Sequence, residues 1–223
     1  MINPDDFMPK TTNECVFGNP RAKATLDNLI CGTMPFPAFG KVGILLYGTW
    51  GTGKTTLAKL IPDAMEVARG GETAYYHNVA CGGKGVSANT ISNLVNAMSL
   101  VSFNVSNLQY AVLDEADNLT NLAQAQLKAT MNLPNAVFIF TTNNIGGIDK
   151  GIQNRCYLID MNAANPASWL PLLTRVFSAC GVAMPPNKQL FPVIASCNGS
   201  AREIITSAIA IAIAVKVNLA PVV

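Results

Sequence analysis

Two short clusters in this sequence have the residue types and spacing to act on phosphate. Gly48-Thr-Trp-Gly51-Thr52-Gly53-Lys54-Thr55 fits the pattern G-x-x-x-x-G-K-[ST], with a second hydroxyl at Thr56. The phosphates of a nucleotide carry concentrated negative charge. A glycine-rich loop lets successive backbone N–H groups converge on that charge, and a following helix adds the positive end of its dipole. Lys54 would reach the terminal phosphates and the Thr55 hydroxyl would hold Mg²⁺. The second cluster, Tyr110-Ala-Val-Leu-Asp114-Glu115, is an apolar run ending in two adjacent carboxylates. Asp114 is suited to Mg²⁺, and Glu115 to polarising an attacking water. Alone, a run ending in acids is commonplace; beside a phosphate loop the two clusters explain each other.

These groups need elements to position them. Val42–Tyr47 reads as a buried strand, followed by the glycine-rich turn and a helix from about Lys54 to Ala68. Thr73–Val79, Gln109–Leu113 and Ala136–Thr141 read as further strands, with Cys156–Ile159 a fifth candidate. Ala88–Ser99, with Ile91, Leu94, Val95 and Met98 on one side, and Asn121–Met131 read as helices between them. This alternation is the rhythm of a parallel α/β sheet. After Asp160 the pattern turns helical: Pro166–Cys180, Lys188–Ser196 beyond the Pro185-Pro186 breaker, and a last helix after Gly199. Ile209–Ala214 alternates with period two, which leaves a strand open, although its alanines and helical neighbours favour a helix. The expected organisation is an α/β nucleotide-binding domain over residues 1–160 and a small all-helical lid domain over 161–223.

Composition limits the possible partners. The 223 residues include 15 Lys+Arg and 13 Asp+Glu, for a net charge of +2, and only 13% are charged. Half are hydrophobic, so a sizeable core is available and global disorder is excluded. A strongly basic coat is excluded too, so any nucleic-acid contact must come from a local patch. The sparse charge leans toward a surface partly covered by other subunits. Six scattered cysteines without a CxxC pair, and a lone His77, argue against a zinc site or a disulfide framework. Met1–Lys10 carries acids and prolines with no apolar core, unlike a secretory signal. The greasiest segment, Ile204–Val223, holds Lys216 and Pro221, and its uninterrupted run of apolar and small residues is shorter than the ~20 needed to span a bilayer. A cytoplasmic protein without a membrane role is expected.

Beyond the two clusters, a series of motifs in consistent order resembles the AAA+ subunits of sliding-clamp loaders, the replication factor C type. Asp114-Glu-Ala-Asp-Asn-Leu-Thr120 with Ala123-Gln-Ala-Gln-Leu127 carries most of the likeness. Phe138-Ile-Phe-Thr-Thr-Asn143 is similar to the sensor 1 strand, and Gly199-Ser-Ala-Arg202 to the sensor 2 motif. Ile152-Gln-Asn-Arg155-Cys156 is similar to the family's Ser-Arg-Cys motif with Asn154 in place of Ser, and Pro9-Lys-Thr11 with Val16-Phe17-Gly-Asn19 to the segment against the adenine. The likeness runs from about Pro9 to Glu203.

That resemblance implies a P-loop NTPase of the AAA+ type that uses ATP and Mg²⁺. It assigns Asn143 to the attacking water or γ-phosphate, Arg202 to the phosphates in cis, Val16 and Phe17 to the base, and Arg155 to a neighbouring subunit's site as an arginine finger. It therefore implies a self-assembled ring or helical homo-oligomer acting on DNA with a replication or recombination partner such as a clamp or helicase. DNA contacts are expected at the starts of two helices, from Lys84, Ser87, Asn89, Thr120 and Asn121, where helix N-termini hold phosphates without much charge. Gly82–Gly85 reads equally as a plain loop. The departures are Met8 where the family has Arg, Trp50 for a customary Pro, Lys128-Ala129 for two basic residues, and no counterpart of the collar domain. The compact form points to a phage or other mobile element. Two other readings stay open: a nucleotide-gated scaffold or filament that recruits partners, and a protein remodeller without a DNA role.

Overall fold

The computed structural model describes residues 3–83 and 86–219. Among them five strands form one parallel sheet: β1 (Gly43–Tyr47), β2 (Tyr76–Ala80), β3 (Gln109–Asp114), β4 (Ala136–Thr142) and β5 (Cys156–Asp160), in the order β2-β3-β4-β1-β5. The central strands are apolar on both sides, as a sheet covered on both faces requires. Successive residues of β1 show the division. Ile44 and Leu46 enter one core with α1 (Pro20–Ile30) and α2 (Lys54–Val67). Leu45 enters the other, with α3 (Ala88–Met98), α4 (Asn121–Thr130) and α5 (Lys150–Asn154). Ile91, Leu94 and Met98 are the buried side of α3, with Val95 at its margin.

The expected strand from Thr73 begins only at Tyr76. The backbone N–H of Ala74 donates to Asp63 Oδ1 at 2.7 Å and that of Tyr75 to Asn104 Oδ1 at 2.7 Å, so side chains take the place of ladder partners. The expected helix from Pro166 also divides, into a 3₁₀ turn (Pro166–Trp169) and α6 (Leu170–Cys180), with Pro171 in the first turn, where its missing N–H costs nothing. α7 (Asn187–Ser196) and α8 (Ala201–Leu219) complete the C-terminal helices, and Ile209–Ala214 is helical. These helices bury a third core around Trp169, Leu173, Val176, Phe177, Leu190 and Ile204. Phe7, from the opposite end of the chain, is buried in that same core. The N-terminal segment thus crosses from the helices to the sheet and closes one side of the cleft between them. No helix among the described residues is long and apolar enough to cross a membrane.

Candidate active site

In a parallel sheet the loops after the strands share one end, and here those after β1, β3 and β4 meet there. The loop after β1 leads directly into α2, whose N-cap, Gly53, has φ 89°. This conformation is open to glycine and aims the first helical N–H groups at the cleft. A cavity of about 340 Å³ opens between this loop and the C-terminal helices. Gly51, Thr52, Gly53, Lys54, Thr55 and Thr56 form its floor, Glu115 and Asn143 one wall, and Arg202, at the start of α8, the opposite wall. Val16 closes the apolar end with Phe7, Trp169, Leu172 and Ile205.

Lys54 is buried, and its ammonium donates to the backbone oxygens of Gly48 at 3.0 Å and Thr49 at 2.5 Å. Burial pulls its pKa below the ordinary 10.5, while the charges of Asp114, Asp117 and Glu115 pull it back up. Incoming phosphate would supply stronger, charged acceptors than the two carbonyls. Gly48 and Asp114 stand behind the cavity surface. The Thr55 hydroxyl donates to Asp114 Oδ1 at 2.8 Å, and Thr141 donates to the same oxygen at 2.6 Å. A hydroxyl and a carboxylate so paired form the oxygen donor set that suits a hard cation such as Mg²⁺.

Glu115 has φ 57°, a left-handed conformation that turns its side chain out of the strand line into the cavity. Its backbone N–H is held by Thr141 Oγ1 at 2.9 Å, and its carboxylate lies beside Asn118 and against Gly82. Cys81, behind these acids, has its thiol pushed up to about 12 by burial first and then by Asp114, Glu115 and Asp117. The thiol of Cys15, on the cavity wall, is likewise raised to about 12 by burial and Glu14. Both cysteines are neutral at physiological pH.

One expected position, that of Phe17, differs from the sequence reading. Phe17 does not line the cavity with Val16; it packs against the α1–α2 core. Successive residues of extended chain point to opposite sides, and here Val16 faces the helices and Phe17 the sheet. Arg155, which the resemblance assigned to a neighbouring subunit's site, lies outside its own chain's cavity. Half-buried at the start of β5, it donates to the Gly151 carbonyl at 3.0 Å. Its platform is firm. Asp149 caps α5 through Gly151 and Ile152 and pairs with Lys128 at 3.1 Å, and Gln124 ties Gly147 and Asp149 to α4. Among the proposed DNA contacts, Lys84 lies outside the described residues. Ser87, Asn89 and Asn121 are exposed at the starts of α3 and α4, on the same end of the sheet as the cavity, while the Thr120 hydroxyl is engaged in capping Ala123 N–H at 3.2 Å.

The sequence reading missed Thr141, which braces both acids, and the apolar wall built by Trp169, Leu172 and Ile205. Thr141 was visible only as one of two threonines ending a strand. The wall is scattered over helices with no fixed spacing to the phosphate loop.

The fold and cavity define a P-loop nucleotide hydrolase with a helical cap. The model of the AAA family, the ATPase family associated with various cellular activities, matches residues 44–161, more than half of the chain. The chain belongs to that family, whose members bind ATP with Mg²⁺ and hydrolyse it. No curated protein sequence matches it. Among solved structures, a RuvB variant from Thermotoga maritima is similar with TM-score 0.66 at 18% identity, covering 94% of this chain and 65% of that one. A second, described as the RuvB Holliday junction branch migration motor of the same organism, gives 0.60 at 16% identity, covering 92% and 72%. A DNA polymerase III gamma subunit-related protein from Thermotoga maritima gives 0.52 at 13%, covering 82% and 70%. The chain thus spans less than two thirds of the first structure and somewhat more of the other two. At these identities the likeness shows the fold.

Proposed function

We propose that this chain is an oligomeric, clamp-loader-like AAA+ ATPase that binds DNA and uses its nucleotide state to load or organise a replication or recombination partner. The observation that carries this reading is the division of charged and polar groups around the cavity. Lys54, Glu115, Asn143 and Arg202 surround one space, whereas Arg155 is held on a firm platform outside it. Phosphoryl transfer needs its developing charge stabilised from several sides. In this reading Lys54 and the N-terminus of α2 hold the phosphates, Asn143 orients water, and Glu115 accepts the proton of that water. Arg202 links the phosphates to the helical lid, residues 161–223, which closes on the α/β domain, residues 1–160. Thr55 and Asp114 would hold Mg²⁺, which supplies charge neutralisation on the phosphate oxygens when bound. Arg155 serves the cavity of the next subunit, so catalysis belongs to an interface in a ring or helical homo-oligomer.

The DNA role is supported by the exposed starts of α3 and α4 on the cavity's end of the sheet, and by neighbours named as a Holliday junction motor and a polymerase subunit-related protein. The test is steady-state ATP hydrolysis across protein concentration, with and without primed DNA. The rate per subunit should climb with concentration and rise further with DNA. Arg155→Ala should bind ATP without turnover, and mixing it with Lys54→Ala should restore activity through hybrid interfaces. A flat, DNA-blind rate with no rescue overturns the reading.

A further inference from the structure

The phosphate loop begins where β1 ends, and its first residues belong to neither strand nor helix. Their backbone must be held by contacts from elsewhere. The Thr49 carbonyl accepts from the Lys54 ammonium at 2.5 Å and from the Thr52 hydroxyl at 3.0 Å, and the Thr49 N–H donates to Asn162 Oδ1 at 3.3 Å. The first two contacts arise within the loop and the first turn of α2. The third comes from 113 positions away, in the connection from β5 to the C-terminal helices. Among the described residues it is the one hydrogen bond that ties Thr49 to another part of the chain.

The Asn162 side chain is exposed, but its backbone is clamped. Met161 N–H donates to the Tyr47 carbonyl at 2.8 Å, which carries the β1–β5 pairing one residue further, and Asn162 N–H donates to Asp160 Oδ1 at 2.9 Å. Two glycines close on it. A Cβ at position 48 would lie 2.8 Å from Asn162 N, and one at position 18 would lie 2.6 Å from Asn162 O. Neither position admits a side chain without displacing this backbone. The amide oxygen that faces Thr49 is therefore presented from a fixed base.

We propose that Asn162 is a positioning residue for the phosphate loop, and that its hold on Thr49 matters most when nucleotide is bound. The proposal rests on the reading that this loop holds phosphate. In this structure the Lys54 ammonium is spent on the carbonyls of Gly48 and Thr49. Phosphate oxygens are charged acceptors and draw a cation more strongly than carbonyls do. Once Lys54 turns to phosphate, Thr49 loses its charged tie, and Thr52 binds it only to the loop itself. Asn162 is then the contact that fixes the start of the loop against the sheet. Without it, nucleotide binding must also order that residue, at a cost in conformational entropy. Asn162 does not line the cavity, so it acts through the loop and not by touching phosphate.

The test applies calorimetric titration with ADP and Mg²⁺, and melting without nucleotide, to the full chain. Asn162→Ala removes the acceptor, and Asn162→Leu fills its volume without one. Both should weaken ADP binding about fivefold, ~1 kcal/mol, the worth of one hydrogen bond. Their melting temperatures without nucleotide should stay within about 2 °C of wild type, because Lys54 still holds Thr49 there. Asn162→Asp keeps an oxygen toward Thr49 and should bind ADP within about twofold of wild type at ~0.3 M salt, where its added charge is screened. In turnover, KM for ATP should rise in the alanine variant with kcat at saturation little changed. The proposal is overturned if the alanine and leucine variants bind ADP as wild type does, if they lower the melting temperature with affinity intact, or if aspartate is no better than alanine. A wild type that ignores ADP, or a Lys54→Ala variant that binds it equally well, would remove the phosphate-loop reading and the proposal with it.

Discussion

Thr141, near the end of β4, donates its hydroxyl to Oδ1 of Asp114, at the end of β3, across 2.6 Å. The same hydroxyl oxygen accepts the Glu115 N–H at 2.9 Å, so one side chain fixes the carboxylate behind the cavity and the backbone of the carboxylate inside it. Thr141→Val keeps the shape and removes both bonds. Each is worth about 1 kcal/mol, and a loss of 1.4 kcal/mol in transition-state stabilisation is tenfold in rate. We expect Mg²⁺-dependent ATP turnover to fall at least ~10-fold, with nucleotide affinity within a few-fold of wild type. Calorimetric titration beside steady-state turnover separates the two quantities, and equal loss in both would make Thr141 a binding residue.

Glu115 is held on its open side by a glycine. A Cβ at position 82 would lie 2.5 Å from Glu115 Oε2, so Gly82→Ala must displace the carboxylate without touching the phosphate loop. Glu115→Gln should bind ATP and turn it over at least ~100-fold more slowly, as expected for a removed general base. Gly82→Ala should follow in the same direction with a smaller effect. Single-turnover kinetics with saturating ATP make the comparison. Unchanged turnover in Glu115→Gln removes that residue from proton transfer.

The phosphate loop, the paired acids and all five strands were legible in the sequence because each depends on local signals: glycine spacing, a strand-to-helix switch, and unbroken apolar runs. What escaped reading depends on contacts distant along the chain. α1 carried a start signal, Asn19 capping the Arg21 N–H with Pro20 at the first helical position, but it stands ahead of the first strand and outside the alternation. The late start of β2 is set by Asn104, 29 positions from Tyr75. Phe17 and Val16 are adjacent and both apolar, and only the packed cores distinguish their sides. Phe7 in the helical core joins the two ends of the chain, a contact with no trace in local pattern.

The phosphate loop touches the C-terminal helices directly, since Ala201 N–H donates to the Gly51 carbonyl at 2.9 Å. Gly51 has φ 77°, and a Cβ there would collide with the Ser200 side chain. Gly51→Ala combines left-handed strain of about 1 kcal/mol with displacement of the helix start that carries Arg202. Nucleotide affinity should fall more than about tenfold while the far-UV spectrum stays unchanged. Retained affinity would mean that α8 reaches the phosphates without its anchor on the loop.

Glu66, on α2, is fully buried and accepts hydrogen bonds from Ser106 and Tyr110, and its titration should be visible in stability. Burial alone would raise its pKa, but the hydrogen bonds from Ser106 and Tyr110, with the charge of Arg69 nearby, hold it below the ordinary 4.5. A carboxylate lowered on folding stabilises the native state at pH values above its unfolded pKa. That contribution fades as pH falls from about 4.5 through the lower folded value. Glu66→Gln removes the charge, retains one acceptor, and turns an NH₂ donor toward groups that already donate. At pH 7 the variant should therefore be less stable by about 2 kcal/mol. Other acids also protonate at low pH, so the informative quantity is the difference between wild type and variant in urea unfolding. It should shrink between pH 6 and pH 3. A difference that stays constant over that range would mean that Glu66 contributes through packing and not through its charge.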